Sequence, residues 1–244
     1  MVIYLRPATR VRIVAVLSVI LVVLGVRAGI SVQPGPVEVS AKILPITHVG
    51  TSLPEVGLVV DVTSGGPEQV NACLAALDSL GAKATWFVTA TFAEAEEAVV
   101  KEIEAKGHEL GVKGTGEKRI DNLPEAEIRD RLQRARQALL KAGIEAAPFL
   151  YPPGQRYSDK LVSLAFENGY QAVKPGIDLT RMKGKEDGAS QKIAGDLAAG
   201  DILLMRVEKK GVVPAEKYLA ALSGVIKEKN LTVVTLSGLF RGVQ

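Results

Sequence analysis

One cysteine, two histidines and one tryptophan in 244 residues leave little material for several kinds of chemistry. With Cys73 alone, neither an internal disulfide nor a thiolate zinc cluster can form; within NACLAALDSL it takes an apolar position of a helical pattern and reads as core. His48 and His108 are the only imidazoles. Ser64, close to Asp61 in TSGGPE, therefore has no histidine placed to activate it, and no GxSxG elbow surrounds it. Aromatic residues make up 5%, which is low for a dedicated carbohydrate-binding surface, and Trp86 inside KATWFVT reads as core. A charge excess is missing too. The formal net charge is +3, but residues 1–28 hold four arginines and no acid, so the remainder carries −1. Such a balance leaves no electrostatic footprint for nucleic acid, and Lys183, Lys185, Lys209 and Lys210 read as solvated loop charges.

What is present begins with Arg6, Arg10 and Arg12 followed by an uncharged run from Ile13 to Val26, the pattern of an export signal. As a helix the run spans about 21 Å, short of a hydrocarbon core of roughly 30 Å. A cleaved signal peptide and a snorkelled membrane anchor both fit residues 1–30, and either leaves the rest of the chain outside the cytoplasm. Residues 31–55, rich in Pro, Gly, Ser and Thr, read as a linker and lead-in segment, and residues 56–242 as one domain.

Within that domain short apolar runs alternate with longer segments of helical period. Strands are expected at 56–62, 83–89, 108–113, 147–151, 170–174, 201–207 and 231–236, and helices at about 67–80, 92–106, 124–142, 158–168, 189–198 and 214–229. Pro67, Pro124 and Pro214 stand where helices begin, and Gly81, Gly107, Gly143 and Gly169 where they end. This alternation predicts an α/β fold with a helix-covered parallel sheet, either closed as a barrel of seven units or open and doubly wound. In both, ligands gather at the C-terminal ends of the strands. Asp61, Lys113, Tyr151, Asp178 and Arg206 are the residues that rule brings to one mouth.

The stretch HELGVKGTGEK, residues 108–118, has the glycine spacing of a phosphate loop at Gly111 and Gly116. Glu117, however, takes the position of the essential lysine, and the lysine that is present, Lys118, is followed by Arg119 and not by a hydroxyl residue, while a GxGxxG reading fails because Arg119 replaces the third glycine. No nucleotide is expected here.

From about residue 44 to 240 the chain resembles the polysaccharide deacetylase family, the NodB-homology carbohydrate esterases, and most of all its sporulation-type bacterial members. LPITHVGTSLPEVGLVVDV resembles their approach to the first strand, KATWFVT the family's KATFFV, EIEAKGHELG its IxxxGHEIG, YPPG its RPPYG loop and GDILLM its GDIILLH. The resemblance implies a deformed (β/α)7 TIM-like barrel. It also implies a divalent metal, usually zinc, which an aspartate and two histidines hold over an N-acetylated sugar, with a second aspartate as base and a further histidine as acid. Two neutral imidazoles and one carboxylate leave such an ion positively charged with an open position, so its water ionises near neutral pH.

This sequence departs from that set. Asp61 keeps the base position, but Val62 stands at the aspartate ligand, Lys113 and Glu117 at the two histidine ligands, and Arg206 at the catalytic histidine, while Tyr151 replaces the arginine that starts the RPPYG loop. His108 aligns before the metal histidines and reads as a strand cap or packing group, and His48 as exposed. No metal cofactor is expected, although Asp61 and Glu117 leave room for a weak oxygen site. Lys113 and Glu117 are expected to pair with each other or with Asp61.

The function these features predict is a non-catalytic deacetylase-like domain, exported and either secreted or membrane-anchored on a bacterial cell. It would bind cell-wall glycan or an envelope protein, and a sporulation role is open. Tyr151 is a candidate for stacking on a sugar ring or for packing over the mouth, and Asp61, Asp178, Arg206, Lys113 and Glu117 are candidates for polar contacts. The alternative is an active N-deacetylase with an altered site that uses Asp61 as base.

Overall fold

Valine-rich EVGLVVDV forms the first strand, and seven of its eight residues are buried, as expected of a strand covered on both faces. A computed structural model describes residues 42–63, 65–116, 118–181, 195, 197–208 and 215–243. The apolar run near the N-terminus, Ser64, Glu117 and most of the helix expected at 189–198 lie outside the described residues. Lys42 onward belongs to a single compact unit.

In chain order the elements are β1 (Glu55–Val62), α1 (Pro67–Ser79), β2 (Thr85–Val88), α2 (Ala90–Ala95), α3 (Glu97–Ala105), β3 (Glu109–Val112), α4 (Glu125–Lys141), β4 (Phe149–Leu150), α5 (Asp159–Glu167), β5 (Gln171–Ala172), β6 (Ile177–Asp178), β7 (Ile202–Val207), α6 (Ala215–Lys229), β8 (Thr232–Val234) and α7 (Leu236–Phe240). The strands run in the order β5-β4-β3-β2-β1-β7-β6, with β8 beside the start of β1, and every pairing is parallel. None of the described helices is long and apolar enough to cross a membrane.

Alternation along each strand divides the core. Leu58, Val60, Trp86, Leu203 and Met205 belong to the cluster that also takes in α1, α3 and α6. Val59, Phe87, Phe149, Tyr151, Val173 and Leu204 form a second cluster on the opposite face of the sheet. Asp61 and Arg206, two residues beyond Val59 and Leu204, lie on the face of that second cluster.

The lead-in residues bridge β5, at one edge of the sheet, and the start of β7, next to the other edge. The Ile46 N–H donates to the Ala172 carbonyl at 2.8 Å and its own carbonyl accepts from Lys174, while the Val49 N–H reaches the Gly200 carbonyl at 2.9 Å, just before β7. Gly200 has φ +88°, and a Cβ there would lie 2.0 Å from the Val49 carbonyl oxygen, so only glycine permits this approach. Parallel strands, covering helices and this connection fit a deformed (β/α)7 barrel.

Three local differences from expectation have physical causes. The helix expected at 92–106 is two helices, α2 and α3, that meet at Glu96, whose φ of −123° and ψ of 48° interrupt the turn; the first is capped by Thr89, whose Oγ1 accepts from the Phe92 N–H. The strand expected at 231–236 stops at Val234, because Thr235 caps α7 by accepting from the Gly238 N–H at 3.0 Å. Finally, β6 was not expected: two residues carry no period, and its evidence is its pairing with Leu203 and Leu204.

Candidate functional site at the strand ends

The C-terminal strand ends bring four charged residues together. Asp61, near the end of β1, is register partner to Arg206 near the end of β7. Lys113 follows β3 and Asp178 closes β6. The Lys113 ammonium lies 2.7 Å from Asp61 Oδ1 and donates to the Val62 carbonyl at 3.1 Å. Arg206 places Nη2 2.8 Å from Asp178 Oδ2 and Nε 3.9 Å from Asp61 Oδ2. Lys113, Asp61, Arg206 and Asp178 therefore form a chain of alternating charge running through β3, β1, β7 and β6.

Thr180 and Thr63 complete the chain, and neither was expected there. Thr180 donates from its N–H and its hydroxyl to Asp178 Oδ1 at 3.0 and 2.6 Å, and it accepts from Arg206 Nη1 at 3.0 Å. Asp-x-Thr is a turn signature in which the carboxylate takes the backbone donor two residues on, and that pattern was readable at Asp178. Thr63 donates to Asp61 Oδ2 at 3.1 Å.

Burial separates these residues. Lys113 is 1% and Asp61 5% exposed, while the Arg206 and Asp178 side chains keep 16% and 14%. Only the latter two reach the rim. Burial pulls the Arg206 guanidinium down, but Asp178, Tyr151 and Asp61 outweigh it and the pKa is raised, so Arg206 is a fixed cation with no proton to exchange.

Tyr151 corrects one expectation. It is fully buried, its ring centroid 5.5 Å from that of Phe87, so it packs beneath the mouth and is not presented to a sugar ring. Its hydroxyl interacts with Arg206, and burial followed by the Asp61 charge pushes its pKa up. Phe87 can lie there because Gly111 on β3 has no side chain: a Cβ would stand 2.4 Å from Phe87 Cε1.

His108 lies at the other end of β3. Its Nδ1 accepts from the Ala84 N–H at 3.0 Å, so the proton is assigned to Nε2, and its ring meets Trp86 edge-on at 5.9 Å. Burial first, then Lys83, lowers its pKa to about 4. It packs the strand, and Trp86 is core, as the sequence suggests. His48 is exposed, with Nδ1 3.0 Å from Asp201 Oδ1.

A metal does not suit these residues. At the three ligand positions implied by the resemblance stand an apolar side chain, Val62, a buried ammonium, Lys113, and Glu117, which lies outside the described residues. A cation already sits against the one retained carboxylate, and among the described residues no group of three or more His, Cys, Asp or Glu is placed to hold an ion.

Comparison with known proteins now adds the family. The signature of the polysaccharide deacetylase family matches residues 49–173, just over half of the chain, and the chain belongs to that family. No curated protein gives a significant sequence match. Among solved structures it is similar to a CE4 family pseudoenzyme from Bacillus anthracis, at 22% identity, covering 80% of this chain and 68% of that one, with a TM-score of 0.69. A mutant of that pseudoenzyme with restored enzymatic activity matches at 23% identity, 80% and 71% coverage and a TM-score of 0.69. A peptidoglycan N-acetylglucosamine deacetylase matches at 22% identity, 81% and 94% coverage and a TM-score of 0.72. At these identities the likeness shows the fold.

Proposed function

We propose that this chain is a non-catalytic member of the polysaccharide deacetylase family that works by binding at the bacterial cell envelope. The observation that carries the proposal is the Lys113 ammonium, 1% exposed and 2.7 Å from Asp61. A base must take a proton from a reacting group, and Asp61 instead faces a buried ammonium on one oxygen and the Thr63 hydroxyl on the other. Arg206, at the acid position, is permanently charged.

Residues 1–30 then act as a signal peptide or membrane anchor, 31–55 as linker and lead-in, and 56–242 as the binding domain, exported as a secreted or membrane-held protein. The ligand is a cell-wall glycan or an envelope protein, and the sporulation-type resemblance suggests the forespore envelope. With Tyr151, Lys113 and Asp61 buried, the rim pair Asp178 and Arg206 is left to meet it. The existence of a solved pseudoenzyme with this fold supports the reading. The test pairs acetate release from N-acetylated glycans, with zinc or cobalt supplied, with peptidoglycan pull-down and elemental analysis. Retention on peptidoglycan without acetate or bound metal is expected. Acetate release abolished by Asp61→Asn would instead establish an active deacetylase with an altered site.

A further inference from the structure

We infer that the cavity at the N-terminal ends of β3, β4 and β5 is a second ligand site, suited to a cationic amino acid, free or at the end of a peptide, with its carboxylate against Arg136 and its ammonium groups against Glu109 and Glu145. Glu109 opens β3, while Ala147 with Pro148 and Tyr170 directly precede β4 and β5. The site therefore lies at the opposite end of the sheet from the mouth and does not rest on the non-catalytic reading. The cavity holds about 580 Å³, within the range of roughly 300–1,000 Å³ found for small-molecule pockets.

Two of its polar groups are held in place and left incomplete. Glu109 Oε1 accepts from the Thr85 hydroxyl at 2.5 Å and from the Ser237 N–H at 3.0 Å, which fixes the carboxylate between β2 and α7, while Oε2 has no hydrogen-bond partner among the described residues and is not sealed from solvent. Tyr170 is 6% exposed, and its hydroxyl is likewise unpartnered among the described residues without being sealed from the cavity it lines. Burial raises the pKa of that hydroxyl against the pull of the Arg136 charge, so it stays protonated and can donate or accept. Arg136 and Glu145 line the same cavity, and among the described residues no hydrogen bond or ion pair engages either one. With two carboxylates and one guanidinium the cavity carries a net negative charge. A ligand with two ammonium groups and one carboxylate is its complement, since each charge then meets an opposite one and the carboxylate can pair with the planar guanidinium through two hydrogen bonds. Ala146, Ala147 and Pro148 offer an apolar wall to the methylene stem between those groups.

The test is calorimetric titration of the full chain with L-lysine, beside cadaverine, which lacks the carboxylate, and ε-aminocaproate, which lacks the α-ammonium. Saturable binding of lysine is expected, with both analogues weaker. Arg136→Gln should weaken lysine by about tenfold or more and should not weaken cadaverine, whereas Glu145→Gln should weaken both. Both side chains are exposed, so neither substitution should disturb the fold, and an unchanged Tm checks that. Glu109 is kept intact because it also holds α7. A wild type without saturable lysine binding, or a lysine affinity that survives both substitutions, would overturn the inference. Equal binding of lysine and ε-aminocaproate would overturn it as well, because one carboxylate would then have no ammonium to meet. Acetate release by the wild type would refute the non-catalytic reading alone and leave this site standing.

Discussion

Gly111→Ala tests the packing beneath the mouth, and its size can be worked from the structure. The added methyl carbon would lie 2.4 Å from Phe87 Cε1, 2.9 Å from Cδ1 and 3.0 Å from Cζ. Carbon atoms in favourable contact stand about 3.5–4.0 Å apart, so the ring must retreat by about 1 Å. It has nowhere to go. Phe87 is fully buried in one cluster with Val59, Tyr151 and Leu204, and the Tyr151 ring is already 5.5 Å away. Gly111 does not have a positive φ, so alanine suits the strand backbone and should gain about 0.4–1 kcal/mol through the unfolded chain. Overpacking of this kind costs about 1–3 kcal/mol, and a clash this close lies at or beyond the upper end. A net loss of about 2 kcal/mol follows, or a Tm lower by about 4–8 °C. Urea unfolding followed by Trp86 fluorescence measures it, and Phe87→Leu in the Gly111→Ala background should return part of the loss by shortening the ring's edge. A Gly111→Ala variant within 0.5 kcal/mol of wild type would refute the account of Phe87 as a wedge against the bare strand.

Two further predictions concern the two ends of β3. His108 has its folded pKa depressed to about 4 from 6.5, so the unfolded chain takes up this proton first: the stability involved is complete above pH 6.5 and is lost as pH falls toward 4. The loss amounts to at most about 3 kcal/mol, and His108→Asn, which keeps an acceptor for the Ala84 N–H but does not titrate, should show a correspondingly flatter dependence of urea midpoint on pH between 6.5 and 4; parallel profiles would disprove it. At the mouth, Lys113→His alone should take up no zinc, whereas Val62→Asp, Lys113→His and Glu117→His together should bind about one equivalent by metal titration, with acetate release requiring Arg206→His as well. Zinc binding by the single variant would show that the lysine was the sole obstacle.

The sequence was legible where period and chemistry were local. Long apolar strands such as β1 and β7, the helices with proline at their start, and the replacement of imidazoles by Lys113 and Arg206 all follow from short windows. What was not legible depended on contacts across the chain. β6 has two residues and exists through β7, and the lead-in strand partner at Ile46 is 127 residues from Val173. Tyr151 could be placed at the mouth by the strand-end rule, but whether its ring lay above or below depended on the space that Gly111 leaves to Phe87. Likewise, residue types offered Lys113 both Asp61 and Glu117 as partners. The Asp61 contact comes from β3 and β1 being two strands apart in one sheet, with both side chains turned to the same face.

The alternating arrangement of Lys113, Asp61, Arg206 and Asp178 sums to zero. Taken by themselves, these four groups present a local dipole pattern and no net charge, so their own part in capture is fit at short range. The share of an association rate that they contribute should then be nearly the same in dilute and concentrated salt, the kinetic behaviour of a cluster that recognises without attracting.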